Sequence, residues 1–233
     1  EVTESNLDEE VAFIWTAAND ADNDPLEYIL SMDHEEETYY LPDNALMNGS
    51  FEDGIEYWSP YPETNANYVI DSTGSGIYGS DATITAFDGD YVLKMWGQYD
   101  GAENFGSFGQ WYEVGVAPGV NVGSHLHLDG VLMSHADDWV GQGGNMGYLI
   151  MYFYDAEGDW VGDGYAMSDP IDVDAPSSEW LELYAEGMVP EGAAHVWAGV
   201  ELYQPSNDDH GSIYVDDLHL HIPLVTTGFF ISN

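Results

Sequence analysis

The chain has 233 residues, which is enough for one large β domain or for one domain with an appendage. It contains 44 Asp and Glu residues against a single cation, Lys94, and its formal net charge is −43. A chain this acidic repels DNA, RNA and anionic membranes, so we expect no nucleic-acid partner and no membrane insertion. The sequence has no cysteine, which excludes thiolate metal sites and cysteine nucleophiles.

The acidic composition also predicts the environment of the protein. One cation cannot neutralise 44 carboxylates, so salt or divalent cations must screen them. This favours a secreted protein, extracellular or at a cell surface, in a halophilic or marine setting or in a calcium-rich one. The two settings are compatible. The chain begins at Glu1 rather than at Met, which we expect of a processed, exported protein.

Residues 1–47 are predicted to form an N-terminal β arm with an acidic loop. In this loop Asp20, Asp22 and Asp24 alternate, so that three side-chain oxygens can converge if the loop curls. Calcium takes six to eight oxygen ligands, and we therefore predict a calcium half-site here. An Asx-rich turn without an ion is the alternative interpretation.

The strand, acidic loop and strand at 11–32 resemble part of a fibronectin-type-III or cadherin-like sandwich. A complete sandwich of that kind has about seven strands, and we expect three before Asn48, the third at 39–41. The arm is therefore predicted to be incomplete and to leave open edges. Such an edge can pair with the rest of the chain or with another copy of it.

Residues 48–223 have a period of two almost throughout, so we predict an all-β sandwich, with a first strand at 48–54. Gly, Pro, Asn and Asp mark the connections. Long loops are expected at 59–82, 97–107 and 133–146. The other predicted strands are 91–96, 108–114, 121–132, 147–155, 179–185, 193–203 and 212–222.

Several motifs follow one another in the order of a known group. Asn-Gly-x-Phe-Glu-x-Gly stands at 48–54, Gly-Asp-Tyr-Val-Leu at 89–93 and Val-Asp-Asp-Leu at 215–218. This order resembles the carbohydrate-binding modules of the family 4/9/22 type, which are galactose-binding-like β-jelly rolls. The resemblance covers about three quarters of the chain and implies a jelly roll at 48–223. The residues that follow, 224–233, are predicted to form an apolar C-terminal tail. A fold of this kind hosts many functions.

In modules of this type a structural calcium ion joins the first and last strands. The resemblance assigns this ion (Ca²⁺) to Glu52 and Asp216. Asp88 and Asp90 are further candidate ligands. Alternation along the last strand places Asp216 on one face with the apolar Leu218. An ionised carboxylate there needs a cation or hydrogen-bond donors. A hydrogen-bonded aspartate without an ion is the alternative.

Alternation also sorts several strands into an aliphatic core face and a second face of aromatic, imidazole and acidic side chains. Aromatic rings stack on pyranose rings, while carboxylates and imidazoles bond the hydroxyls. Coverage of this face by loops or by the arm, or its use as a protein–protein interface, is the alternative. The predicted ligand-binding residues are Trp197, Tyr148, Tyr152, His195, Glu201 and, from a loop, Trp139.

Two His-x-His pairs, His125/His127 and His219/His221, raise the question of a transition metal. Residues i and i+2 of a strand lie about 6.5–7 Å apart on one face. Two adjacent strands could therefore chelate one ion. The sequence does not show that these strands are adjacent, and solvent-facing or packing histidines are the alternative.

The sequence contains no His-Glu-x-x-His, Gly-x-Ser-x-Gly or phosphate-loop motif, and we expect no enzyme. We predict a secreted, non-catalytic, calcium-stabilised jelly-roll module that binds a polysaccharide or other glycan. The alternative is a self-assembling structural subunit of an extracellular filament, sheath or surface layer. In that case strand exchange through the N-terminal arm and calcium would join copies of the chain.

Overall fold

The computed structural model describes residues 44–61, 84–98, 103–206 and 208–222, and gives the backbone alone at 32–35, 38–40, 67–72, 223–225 and 228–231. The chain divides into two compact units, one of Glu1–Glu37 with Thr227–Asn233 and one of Thr38–Thr226. The domain boundaries predicted at residues 47 and 223 stay predictions.

The first unit contains one described strand pair. Strand β1 (Met32–Glu35) pairs antiparallel with β14 (Gly228–Ile231), so this part of the arm has a partner within the same chain. The predicted half-site at Asp20, Asp22 and Asp24 lies outside the described residues, as does nearly all of 11–32. Strand exchange between copies stays a prediction.

The second unit consists mainly of two five-stranded antiparallel sheets, and the prediction of an all-β sandwich is confirmed. From edge to edge, sheet I contains Leu181–Met188 (β10), His125–Met133 (β7), Ser212–His221 (β12), Tyr91–Trp96 (β5) and Asn67–Ser72 (β4). Sheet II contains Ser59–Tyr61 (β3), Asn104–Glu113 (β6), His195–Gln204 (β11), Met146–Tyr154 (β8) and Trp160–Met167 (β9).

The remaining described elements of this unit are short. Strand β2 (Thr38–Tyr40) pairs with β13 (Pro223–Val225). A 3₁₀ turn at Ala136–Asp138 precedes helix α1 (Val140–Gly143). In the part of the chain that the structure describes, no helix has the length and apolarity needed to cross a bilayer.

The main core consists of aliphatic and aromatic side chains from both sheets. Successive side chains of a strand point to opposite faces, so a period of two sends every second residue inward. The sorting of β7, β8 and β11 predicted from this period is confirmed. The fully buried residues of the main core on these three strands include Leu126, Leu128, Leu149, Met151, Val196, Ala198 and Val200.

Three strands of the two five-stranded sheets occur where none was predicted. Strands β3 and β4 lie within the expected loop at 59–82, and β9 lies between two predicted strands. Strand β9 is an edge strand whose residues are mostly solvent-exposed, so it needs no apolar alternation. It also contains Gly162 and Gly164, which weaken the pattern of a strand.

The stretch at 48–54 is a series of turns and not the predicted first strand. The Asn48 side chain accepts a hydrogen bond from the Asp53 N–H (3.1 Å) and donates one to the Gly54 carbonyl (3.0 Å). Such local bonds compete with strand pairing. The turns bury Phe51 completely, and its ring lies 4.9 Å from that of Trp58.

A β-bulge interrupts β12 and overturns the face predicted for Asp216. The register against β7 shifts between Asp216 and His219, and Asp217 has a positive φ of 50°. A bulge inserts one extra residue, so the alternation changes phase there. Leu218 consequently belongs to the main core, whereas Tyr214 belongs to a separate small cluster with Ile84, Val92 and Met133.

Candidate functional site

Five of the six predicted ligand-binding residues share the outer face of sheet II. Trp197, Glu201 and His195 lie on β11, and Tyr148 and Tyr152 lie on the neighbouring β8. The register places Trp197 opposite Tyr152 and Glu201 opposite Tyr148. The structure therefore brings these five together as alternation predicts.

Trp139 does not join them. It stands between the 3₁₀ turn and α1, packs against the main core, and donates a hydrogen bond from Nε1 to the Ala175 carbonyl (3.2 Å). Its partly buried indole is held by the scaffold and is separate from the outer face of sheet II.

We use the term aromatic face for a group of rings on the outer side of sheet II. Trp111 and Trp197 lie 5.0 Å apart between ring centroids, and Tyr61 lies 5.4 Å from Trp197. Trp160 stacks on Tyr152 at 6.0 Å with an interplanar angle of 11°. The members are Tyr61, Trp111, Tyr152, Tyr154, Trp160, Tyr165 and Trp197.

The members of the aromatic face differ in exposure. Buried rings form its centre, which we call the floor, and exposed rings on β6 and β9 form its two sides. Trp197 is fully buried, whereas Trp111 is 45% exposed and Trp160 is 62% exposed. The Trp197 ring lies above Gly109, where an added Cβ would meet its Cε2 at 3.0 Å. Trp197 therefore supports the floor, and the accessible indoles are those of Trp111 and Trp160.

The sequence prediction missed both accessible indoles. Alternation along β6 would have placed Trp111 on the outer face, since it stands opposite Trp197. Trp160 and Tyr165 carry no such signal, because β9 lacks the apolar period of a strand. The two sides of the face, β6 and β9, are separated by three strand spacings of sheet II, or about 14 Å.

A buried polar group lies within the floor of the aromatic face. The Glu201 side chain is 9% exposed and accepts hydrogen bonds at Oε2 from the Tyr152 hydroxyl (2.5 Å) and the Ser107 hydroxyl (2.9 Å). Burial raises the pKa of Glu201 above its ordinary 4.5, and the two hydrogen bonds oppose this in part. Burial and the Glu201 charge also raise the pKa of Tyr152, which therefore remains a phenol donor.

A second polar atom of the floor has an unmet hydrogen-bonding capacity. The indole Nε1 of Trp197 is buried and has no acceptor among the residues that the structure describes. A buried donor without an acceptor costs free energy, and such groups often mark functional sites. This N–H is therefore an unmet donor beneath the accessible surface of the aromatic face.

The residues of the predicted calcium site meet at the loop before β5. Glu52 Oε1 accepts hydrogen bonds from the N–H groups of Asp90 (2.9 Å) and Tyr91 (2.8 Å). Asp216 Oδ2 accepts from the N–H groups of Phe87 (2.9 Å) and Asp88 (3.0 Å). The two carboxylates thus hold the same loop at different points. Burial raises the pKa of Asp216 to about 6 in spite of these bonds.

The fit of these residues to calcium is partial. Their oxygens are the ligands that calcium prefers. Within the described residues, however, Glu52, Asp88, Asp90 and Asp216 do not form a group of three ligand atoms that all lie within 4.8 Å of one another. The geometry shows backbone-anchored carboxylates, and the calcium ion stays a prediction.

The His-x-His pairs lie on the outer face of sheet I, away from the aromatic face. Strands β7 and β12 are adjacent, with His127 opposite His221 and Asp129 opposite His219. His125 lies at the start of the same row. The hydrogen bond with Asp129 raises the pKa of His219, whereas burial lowers that of His221. The adjacency that the sequence left open is therefore present in the fold.

No protein-family model and no curated protein matches this chain. Among solved structures, it is similar to a cyclase from Fischerella sp. TAU, with 12% identity and a TM-score of 0.50 over 80% of this chain and 98% of that one. It is also similar to the CBM22-1 xylan-binding domain of Paenibacillus barcinonensis Xyn10C, with 13% identity and a TM-score of 0.46 over 80% and 97%.

A third similar structure is the enzymatically active domain of bacteriophage CBA120 tailspike protein 4, with 13% identity and a TM-score of 0.48. The match covers 77% of this chain but only 21% of the tailspike chain. At these identities the likenesses concern the fold alone. In its fold the chain resembles carbohydrate-binding β-sandwich modules, as the order of its sequence motifs predicts.

Proposed function

We propose that this protein binds glycan chains, without transforming them, along the aromatic face of sheet II. The observation that carries the proposal is the placement of two exposed indoles, Trp111 and Trp160, on either side of a buried polar floor at Glu201. The sugar is expected to lie across the strands, between β6 and β9.

The chemistry of a sugar ring suits this arrangement. The C–H faces of a pyranose are apolar and pack on aromatic rings, while its hydroxyls need hydrogen-bond partners at the edge. The Glu201 carboxylate can accept a hydrogen bond from such a hydroxyl. The separation of about 14 Å between the two sides, three strand spacings, suits an oligosaccharide better than a single ring.

The binding is proposed to be non-catalytic because of the carboxylates on this face. Glycoside hydrolysis generally uses two carboxyl groups that flank the scissile bond. On the described part of the aromatic face, Glu201 is the one buried carboxylate, and hydrogen bonds to Tyr152 and Ser107 hold it. This single held carboxylate supports recognition of a hydroxyl.

Electrophoresis through gels that contain polysaccharides tests the proposal. Xylan is the first probe, beside cellulose, mannan and galactan derivatives, and isothermal titration with oligosaccharides then gives affinities. We expect retardation by at least one polymer, and loss of that retardation in Trp111→Ala and Trp160→Ala. Tyr184→Ala removes an exposed ring from sheet I and is the matched control. Mobility that no polymer changes, or retardation that both tryptophan variants retain, would overturn the proposal.

We further propose that calcium stabilises the loop before β5 and that the protein works outside the cell. The Asp216 carboxylate is fully buried, and an ionised carboxylate at such a position needs a cation or hydrogen-bond donors. Calcium added to the chelator-stripped protein should raise the melting temperature, and Glu52→Gln should reduce that rise. Glu56→Gln, an exposed position of the same turn region, is the control. A melting temperature that calcium leaves unchanged would contradict the site.

A further inference from the structure

A compact group of imidazoles around one carboxylate lies on the outer face of sheet I. Adjacent strands β7 and β12 contribute His127, Asp129, His219 and His221, which face outward from the core. One ligand atom from each of Asp129, His219 and His221 lies within 4.8 Å of the other two. All four side chains are partly buried.

Each of the three imidazoles presents one ring nitrogen to Asp129. His221 Nε2 lies 2.9 Å from Oδ2, His127 Nε2 lies 3.4 Å from Oδ2, and His219 Nδ1 lies 3.5 Å from Oδ1. In a tetrahedral zinc site, ligand bonds of about 2.0–2.2 Å place the ligand atoms about 3.3–3.6 Å apart. The observed separations already approach those values.

The opposite nitrogens of two of these rings are held by further carboxylates. His127 Nδ1 lies 3.1 Å from Glu186 Oε1 on β10, and His219 Nε2 lies 3.4 Å from Asp217 Oδ1. Metal-binding histidines commonly direct their second nitrogen to a carboxylate in this way, which fixes the orientation of the ring and raises its basicity. The cluster thus contains candidate ligand atoms and, behind two of the imidazoles, carboxylates that fix the orientation of the rings.

From this geometry we propose a divalent transition-metal site of the zinc class at Asp129, His219 and His221. His127 faces the same carboxylate but lies outside this group of three, so its side chain would have to shift to become the fourth ligand. Imidazole and carboxylate ligands suit zinc and its neighbours, whereas calcium and magnesium take oxygen ligands. The net charge of −43 raises the local concentration of any cation at the surface. The ion would cross-link β7 to β12. The metal site does not depend on the proposal that the protein binds glycan.

The surroundings give the site access from solvent. A cavity of about 320 Å³ on this face is lined in part by His127, Asp129, Glu182, Tyr184 and Asp217. The Tyr184 ring stacks on His127 at 5.7 Å with an interplanar angle of 13°, which restricts the orientation of that imidazole. The ion can therefore enter without unfolding of the sheet.

Isothermal titration of the chelator-stripped full chain with zinc tests the proposal. Excess calcium in the buffer occupies the oxygen-rich acidic sites, so the titration reports nitrogen-containing ones. We expect one zinc ion per chain, and an affinity at least 100-fold lower in His219→Gln and His221→Gln. His125→Gln removes an imidazole from the same strand row outside the cluster and should bind zinc like the unchanged chain.

Two further variants keep the test decisive if a ligand variant fails to fold. Asp129→Asn removes the carboxylate that all three rings face, and Glu186→Gln weakens only the support of His127. We expect a loss of at least 100-fold for Asp129→Asn and of about 10–100-fold for Glu186→Gln, the range for outer-shell partners. Cobalt absorption in the visible range should show a four-coordinate site that Asp129→Asn abolishes.

Three results would overturn the proposal. The first is the absence of saturable zinc binding in calcium-containing buffer, which would leave ion pairs between protonated imidazoles and Asp129 as the role of the cluster. The second is unchanged affinity in folded His219→Gln and His221→Gln. The third is a cobalt spectrum that Asp129→Asn retains, since the ion would then lie elsewhere.

Discussion

At the scale of single residues, Trp197 and Trp111 show how burial divides one aromatic face into support and contact. Both indoles lie on the outer side of sheet II and stand opposite each other in neighbouring strands. Trp197 is fully buried, while Trp111 is 45% exposed. The same residue type therefore has two different tasks, and only the exposed indole offers its ring to a ligand.

Replacement of the two tryptophans should separate stability from binding. Trp197→Ala should lower the free energy of unfolding by about 3–5 kcal/mol, as expected for truncation of a buried large side chain. Trp111→Ala should cost about 1 kcal/mol or less, because its ring is half exposed, but should remove glycan binding. Urea denaturation measures the first quantity and affinity electrophoresis the second. Equal destabilisation by both variants would contradict this assignment.

The pH dependence of stability should reveal the buried Glu201. Because burial raises its pKa in the folded protein, its contribution is fully present below the unfolded pKa and is lost as pH rises through the folded one. Glu201→Gln should therefore gain stability relative to the unchanged chain as the pH rises above the ordinary glutamate pKa of 4.5. At high pH the gain is about 1.4 kcal/mol for each tenfold difference in the proton affinity of Glu201 between the folded and unfolded states.

A charge control is needed for the Glu201 experiment, because removal of any carboxylate relieves repulsion in a chain with a net charge of −43. Glu113→Gln removes one exposed carboxylate from β6, on the same sheet. Urea titrations of both variants at a series of pH values isolate the effect of burial. Parallel curves for the two variants would show that burial of Glu201 has no influence.

At the scale of elements, the turns at 48–54 and the bulge of β12 are in direct contact. The Gly49 carbonyl accepts a hydrogen bond from the Leu218 N–H (3.1 Å), and a Cβ at Gly49 would collide with the Leu218 carbonyl oxygen. The turns insert Phe51 into the core, while the bulge turns Asp216 towards the loop before β5. Two irregular elements thus position the carboxylates predicted for calcium.

Substitution of Gly49 should disrupt this contact. Gly49→Ala is expected to lower the free energy of unfolding by about 2–3 kcal/mol, since the turns must move away from the bulge. Gly54→Ala has open space around its Cβ but a positive φ of 68°, so its cost should stay near 1–2 kcal/mol. Thermal and urea denaturation measure both. A smaller loss in Gly49→Ala than in Gly54→Ala would contradict the steric argument.

At the scale of the whole molecule, negative charge dominates. The only Lys or Arg of the sequence is Lys94, and its side chain is buried, 3.9 Å from Asp138 and 5.5 Å from the Tyr214 ring. No permanent positive side chain is therefore exposed to offset the carboxylates. Self-repulsion of this kind destabilises a compact state until ions screen it.

Salt should consequently stabilise the protein. The Debye length falls from about 30 Å at 0.01 M to about 3 Å at 1 M ionic strength, so we expect the melting temperature to rise across this range at neutral pH. The rise should nearly vanish close to pH 4, near the sequence pI of about 4.1. Differential scanning calorimetry provides the measurement. A melting temperature independent of salt at neutral pH would exclude repulsion as the dominant effect.

The sequence by itself determined the sandwich and the inward and outward sides of β7, β8 and β11, because a period of two is a local property of the backbone. It could not reveal β9, an edge strand without an apolar face, and it assigned Asp216 to the wrong face because a bulge changes the phase.

Only the tertiary structure decided which strands are neighbours, because pairing joins residues that are distant in the chain. The outward side chains that the sequence grouped as one face therefore divide into two. The aromatic rings meet on sheet II, with Trp160 of β9 as a member that no pattern indicated. The imidazoles meet around Asp129 on sheet I, because β12 returns beside β7.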